Sequence, residues 1–205
     1  MKQLDYYFWM NSDWAYLGAD RLAQMAQDHG VQVHYKPVDL LSVYARTGGI
    51  PLFQRSEQRQ EYRQQELRRW MARLGIHINV TPKFMCPDAS LASRMLIAAE
   101  QMGYAVAKLH KDILAAQWCH DQDISEVSVL LDVAGHLGLP GDEMVLRAES
   151  SDIALRYQDY TDEAVSAGVF GSPSYVFERE VFWGQDRLDF LGQALANQTL
   201  ASVQR

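Results

Sequence analysis

Tyr6-Tyr7-Phe8-Trp9-Met10-Asn11-Ser12-Asp13-Trp14-Ala15-Tyr16-Leu17-Gly18 is the stretch on which the reading of the fold turns. Its first letters are apolar or aromatic and alternate poorly, as in a strand buried on both faces. Ser12 or Asp13 can cap a helix that begins at once. Trp14, Leu17, Leu22, Met25 and Ala26 recur at helical spacing, and Gly30 ends the run. Val31-Gln32-Val33-His34-Tyr35-Lys36 then alternates as a strand. Strand, helix and strand in this order favour a parallel pair.

The far end of the chain completes the pattern. Gly168-Val169-Phe170-Gly171-Ser172-Pro173 reads as a loop. Ser174 to Phe177 and Val181 to Trp183 read as two short strands, with Glu178-Arg179-Glu180 as the tip of a hairpin. Asp186 to Ala196 reads as a closing helix. Between the two ends, a loop with Gly48, Gly49 and Pro51 leads into a charged helical stretch at 54–74. Residues 89–103, 104–119, 125–137, 141–149 and 151–167 also read as helices, started by Asp88, Ser125, Gly141 and Ser151. Gly103, Gly138 and Gly168 mark ends. The order is βαβ, a helical middle, then ββα. This is an α/β, thioredoxin-like domain formed by residues 1–50 and 168–205 and split by an all-helical insertion at 51–167.

Composition bounds the function. The chain has 205 residues, 48% hydrophobic and 22% charged, an ordinary balance for a globular core. A net charge of −7 argues against nucleic acid as a partner. Lys2 is followed at once by Asp5, which does not suit a secretory leader, and no run is long enough for a membrane helix. A cytoplasmic protein is expected. Cys86 and Cys119 form no C-x-x-C and read as buried or incidental thiols. The six histidines show no ligand spacing, so no metal is expected.

Four places could carry chemistry. A thiol oxidoreductase of this fold sets C-x-x-C at the first strand-to-helix turn, where the helix end favours a thiolate. This chain has Ser12-Asp13-Trp14-Ala15, so dithiol exchange there is excluded. Ser12 reads equally as a cap and as a hydroxyl that donates to a bound thiolate and lowers its pKa. Ser172-Pro173 precedes a strand, a context that favours a cis bond and a residue-172 backbone turned toward a peptide-like ligand. Gln185-Asp186-Arg187 opens the last helix; Asp186 reads as its cap, or as a partner for an ammonium group. Arg55, Arg59 and Arg63 follow one another at i, i+4 spacing, mainly as a solvated face, with one arginine able to reach a ligand carboxylate.

These residues resemble the 2-hydroxychromene-2-carboxylate isomerases and their relatives, the kappa-class glutathione transferases, in the DsbA-like branch of thioredoxin folds. The likeness runs along nearly the whole chain. It rests on Phe8 to Leu17, Tyr62-x-x-x-Glu66-Leu67-x-Arg69-Trp70, Trp118 with Asp123-Ile124, Val169 to Pro173, and Trp183-Gly184-Gln185-Asp186-Arg187-Leu188. The resemblance implies glutathione as cofactor and a small aromatic or carboxylate electrophile as the second partner. It implies Ser12 as the catalytic residue beside the sulfur. It implies Ser172 and Pro173 at the cysteinyl unit, and Gly184, Gln185, Asp186 and Arg187 toward the γ-glutamyl end. Arg59 falls toward the glycyl carboxylate. Tyr35, Lys36, Met85 and Cys86 fall near the second substrate, with Lys36 a candidate for its carboxylate. The implied reaction is thiolate addition, ring opening, bond rotation and elimination, in aromatic-compound degradation. Conjugation or peroxide reduction at the same site, and non-catalytic glutathione binding, are the alternatives. A homodimer is implied as well. The chain departs from the family at Asp13, where proline is common, at Ser172, where a bulky apolar residue is usual, and at Gly49, where the transferases have asparagine. Asp13 opposes a neighbouring thiolate unless it points to solvent.

Overall fold

The computed structural model describes residues 2–203, with side chains as far as residue 197. The first unit is β1 (Lys2–Phe8), α1 (Asp13–His29) and β2 (Val31–Pro37). α1 ends where Gly30 takes φ +60, a left-handed conformation that glycine adopts without a Cβ clash. A helix absent from the sequence reading follows, α2 (Leu40–Thr47). The Asp39 carboxylate caps it by accepting from the N–H groups of Leu41 and Ser42. Then come α3 (Glu57–Leu74), α4 (Ser90–Gln101), α5 (Ala107–His120), α6 (Val127–His136), α7 (Gly141–Ala148) and α8 (Ser151–Ser166). β3 (Ser174–Phe177), β4 (Glu180–Trp183), a 3₁₀ turn (Gln185–Arg187) and α9 (Leu188–Val203) complete the described chain.

Helix starts differ from the expected caps by a residue. Asp88 stands one residue before the N-cap Ala89, its carboxylate accepting from Ser90 N–H. Ser125 is itself capped by Asp123, and Gly141 and Ser151 are the first helical residues of α7 and α8.

The strand order is β2-β1-β3-β4. β1 and β2 are parallel; β1–β3 and β3–β4 are antiparallel. The sheet thus joins the two ends of the chain through β1 and β3. Register sets Tyr35, Tyr6 and Tyr175 side by side. Tyr6 stacks on Tyr175 at 5.1 Å and meets Tyr35 edge-on at 5.4 Å. His110 of α5 covers this face, its ring within hydrogen-bonding distance of Tyr6 Oη at 3.3 Å. Burying one such ring is worth about 2–3 kcal/mol. The same hydrophobic cluster continues through α1, α4, α5, α6 and α7, so sheet and helical segment share one core. The opposite face, with Tyr7, packs Val38, Leu40 and Val43 against Ala164 and Val169.

Candidate functional site

Ser12 stands at the end of β1 and caps α1. Its Oγ accepts from Ala15 N–H at 3.2 Å, and the residue is only 5% exposed. The oxygen is used as an acceptor, which leaves the O–H proton available to donate. Both readings of Ser12 are therefore compatible in one side chain.

The Ser172–Pro173 bond is cis. Ser172 Oγ accepts from Trp9 N–H at 2.8 Å, tying this loop to the end of β1. Among the described residues, no hydrogen bond uses the Ser172 backbone N–H or C=O. Pro173 C=O accepts from Gly184 N–H at 2.8 Å. Gly184 has φ +96, so a side chain there would be strained and would collide with Asp186. Arg21 of α1 donates to both the carbonyl and Oε1 of Gln185, at 3.1 and 2.8 Å, and bridges to Asp189 at 2.9 Å. Gly18 brings α1 against this turn: an added Cβ would lie 2.9 Å from Gln185 Cβ.

These elements enclose a cleft of two lobes, each about 480 Å³. Trp14, Arg55, Arg63 and Ser172 line both and mark where they join. The first lobe holds Ser12 and is walled mainly by apolar groups such as Trp9, Leu40, Phe53, Met85 and Trp118. The second is charged: Arg59, Glu66, Asp186 and Arg187 line it with Gly184 and Gln185.

A DSBA-like thioredoxin domain model matches residues 3–196. The chain belongs to this family. It is 26% identical to a 2-hydroxychromene-2-carboxylate isomerase of Sphingobium xenophagum over 93% of this chain and 96% of that protein. It is 28% identical to one of Pseudomonas putida over 94% and 93%. A solved structure of a 2-hydroxychromene-2-carboxylate isomerase superposes with a TM-score of 0.85 at 24% identity, covering 98% of both chains. The resemblance read from the sequence holds for these isomerases and for the DsbA-like fold.

The DSBA-like architecture sorts the expected site residues. Ser12, Met85 and Cys86 share the first lobe, and Arg59, Gly184, Gln185, Asp186 and Arg187 the second, with Ser172 between them. One of these, Gln185, is committed to structure, and Asp186 departs from its expected role as a cap. Gln185 is 1% exposed and held by Arg21, so its side chain braces the turn. Asp186 does not cap α9 but pairs with Arg187 at 2.8 Å, both half-exposed.

Tyr35 and Lys36 do not line the cleft. Tyr35 lies in the aromatic cluster, where burial pushes its phenol up to about 12. Lys36 points to the other face of the sheet and pairs with Glu163 at 2.8 Å and Asp5 at 3.2 Å. Burial works against its charge, but Glu163, Tyr7 and Asp5 together outweigh it, and the ammonium is held above its usual range. Strand alternation is the reason: with Tyr35 on one face, Lys36 must take the other.

The three arginines border the cleft with different exposure: Arg59 is solvated, Arg55 half-buried and Arg63 buried. Arg55 donates to Ile50 C=O at 2.9 Å and to Tyr44 Oη at 3.3 Å. Asp13 does not reach solvent either. It is 5% exposed and forms an ion pair with Arg63, itself 9% exposed. Cys86 is exposed in the first lobe, so it is not a buried thiol. Both cysteines are free, and no group of three potential metal ligands occurs among the described residues. No described helix is long and apolar enough to cross a membrane.

Proposed function

We propose that this chain is a glutathione-dependent isomerase of the 2-hydroxychromene-2-carboxylate type. The observation that carries the reading is the Ser12 hydroxyl in an apolar lobe that joins a charged one at Trp14, Arg55, Arg63 and Ser172. The named relatives, similar over nearly the whole chain, support it.

The charged lobe suits a short peptide with ionic ends. Asp186 and Glu66 can meet an ammonium group, and Arg59 and Arg187 can meet carboxylates. The free N–H and C=O of Ser172 can pair with a peptide backbone in the manner of an added strand. When bound, glutathione supplies a thiol nucleophile that adds to the substrate and is released again. Ser12 donates its hydroxyl proton to the sulfur and favours the anion. The aromatic walls of the first lobe orient a flat ring, and their contact excludes water. Arg55, rather than Lys36, is the cation placed to receive the substrate carboxylate.

The test is calorimetric titration with glutathione, with thiolate absorbance followed against pH, and then turnover of the chromene carboxylate. Binding with a lowered thiol pKa and chromene turnover support the reading. Conjugation of a generic aromatic electrophile without chromene turnover would replace it by a transferase. Binding without thiol activation would leave a glutathione-binding protein. The expected homodimer is part of the reading and is tested by light scattering.

A further inference from the structure

The family's common proline after the turn serine is an aspartate here, and that aspartate is buried. A carboxylate at the head of α1 repels a thiolate held beside Ser12. It also consumes donors. Asp13 Oδ1 accepts from Trp14 N–H at 2.8 Å, and Ser12 accepts from Ala15 N–H. The N-terminal end of α1 therefore offers an anion less than an uncapped helix end would.

Arg63 answers both deficits. It reaches from α3 to pair with Asp13, its guanidinium 5.6 Å from the centre of the Trp118 ring. Among the described residues, its one hydrogen bond runs from Nη2 to Asp13. Its remaining N–H donors are unspent, and the residue lines both lobes where they join. Arg63 and Leu67 are the buried residues of α3, an otherwise strongly polar helix. We propose that Arg63 is a positioning residue for the thiol chemistry: it cancels the Asp13 charge and supplies the cation that the sulfur needs at the junction of the lobes. This inference rests on the glutathione reading given above.

A resident thiol in the same lobe supports it. Partial desolvation by the lobe's walls pushes the Cys86 thiol up, Arg63 draws it down, and Asp13 pushes it up. Both members of the pair therefore act on sulfur in this space. Other charges face it too. Arg55, Asp39 and Asp88 line the first lobe. Arg59, Glu66, Asp186 and Arg187 line the second. All of these stay constant across the variants below.

The test measures two thiols in Arg63→Met, Asp13→Asn and Arg63→Lys, each in a Cys119→Ala background. The first is Cys86, followed by its rate of alkylation against pH without glutathione. The second is bound glutathione, followed by thiolate absorbance. Arg63→Met should raise both apparent pKa values by about one unit, and Asp13→Asn should lower both. Arg63→Lys should restore most of the wild-type value. A purely structural ion pair would lower the melting temperature in all three variants and leave both pKa values in place, which overturns the inference. If Arg63→Met does not fold, Asp13→Asn decides, because an unchanged or raised pKa there contradicts it. If the wild type fails to bind glutathione, the proposed function falls. The Cys86 arm still reads the charge effect of Arg63, and unchanged alkylation across the variants overturns that as well.

Discussion

Replacing Ser12 separates its two roles, because they act on different observables. Ser12→Ala removes the side-chain acceptor of Ala15 N–H, 3.2 Å away. Loss of such a cap costs about 1 kcal/mol, which lowers the melting temperature of a chain this size by about 2–4 °C. The same change removes the hydroxyl donor to the sulfur. A hydrogen bond to a charged group contributes about 1.5–3 kcal/mol. At about 1.4 kcal/mol per pH unit, the bound thiol pKa should rise by roughly one to two units. Chromene turnover should fall by about ten- to a hundredfold. Ser12→Gly isolates the second effect, since glycine at a cap costs only a few tenths of a kcal/mol. The assay pairs thermal denaturation with absorbance-monitored turnover and thiolate titration. A lowered melting temperature with unchanged turnover and thiol pKa would refute the reasoning and leave Ser12 as a helix cap alone.

Other changes probe the supports of the site. Lys36→Met should cost about 1–2 kcal/mol by leaving Asp5 and Glu163 without their cation, yet leave KM and kcat unchanged; a large rise in KM would return Lys36 to the substrate. Gly18→Ala drives a methyl against Gln185 Cβ and against Tyr175 Oη at 3.0 Å, and should destabilise by about 1–3 kcal/mol in chemical denaturation. An unchanged midpoint would show that the turn at Gln185 yields freely. Burial lowers the His110 pKa to about 3 from an ordinary value of 6.5. Its neutral form therefore stabilises the fold above pH 6.5, and this contribution is lost as pH falls toward 3. The unfolded chain takes up a proton in that window that the folded chain refuses. His110→Asn should remove up to about 1.4 kcal/mol per pH unit from the slope of stability against pH between 6 and 4. An identical slope in the variant would contradict a neutral buried histidine.

Much of the fold could be read without coordinates because its elements are strongly patterned. The apolar run ending at Phe8, the capped stripe that follows and the alternation at 31–36 each have one good local solution. α2 is too short to stand out beside Gly48, Gly49 and Pro51, which signal a loop. Its signal was present: Asp39 as cap, then Leu40, Val43 and Tyr44 at helical spacing. Ser12, Ser172 and the turn at Gly184–Arg187 were legible as a group through the resemblance, which implies that they meet where β1 and β3 join. The faces of Tyr35 and Lys36 were not, since alternation says only that they differ. Neither side meets the cleft, because α8 covers Lys36 and α5 covers Tyr35.

The sequence by itself determined the strands, most of the helices and the absence of a cysteine at the first turn. These follow from periodicity and capping, which act over a few neighbouring positions. Tertiary structure alone decided that Asp13 is buried, that Arg63 neutralises it from a helix fifty residues away, and that Arg55, Arg59 and Arg63 border one cleft. A charge carries no local mark of its partner. Its energy depends on what approaches it and how much water remains, and only the packing of distant segments sets either.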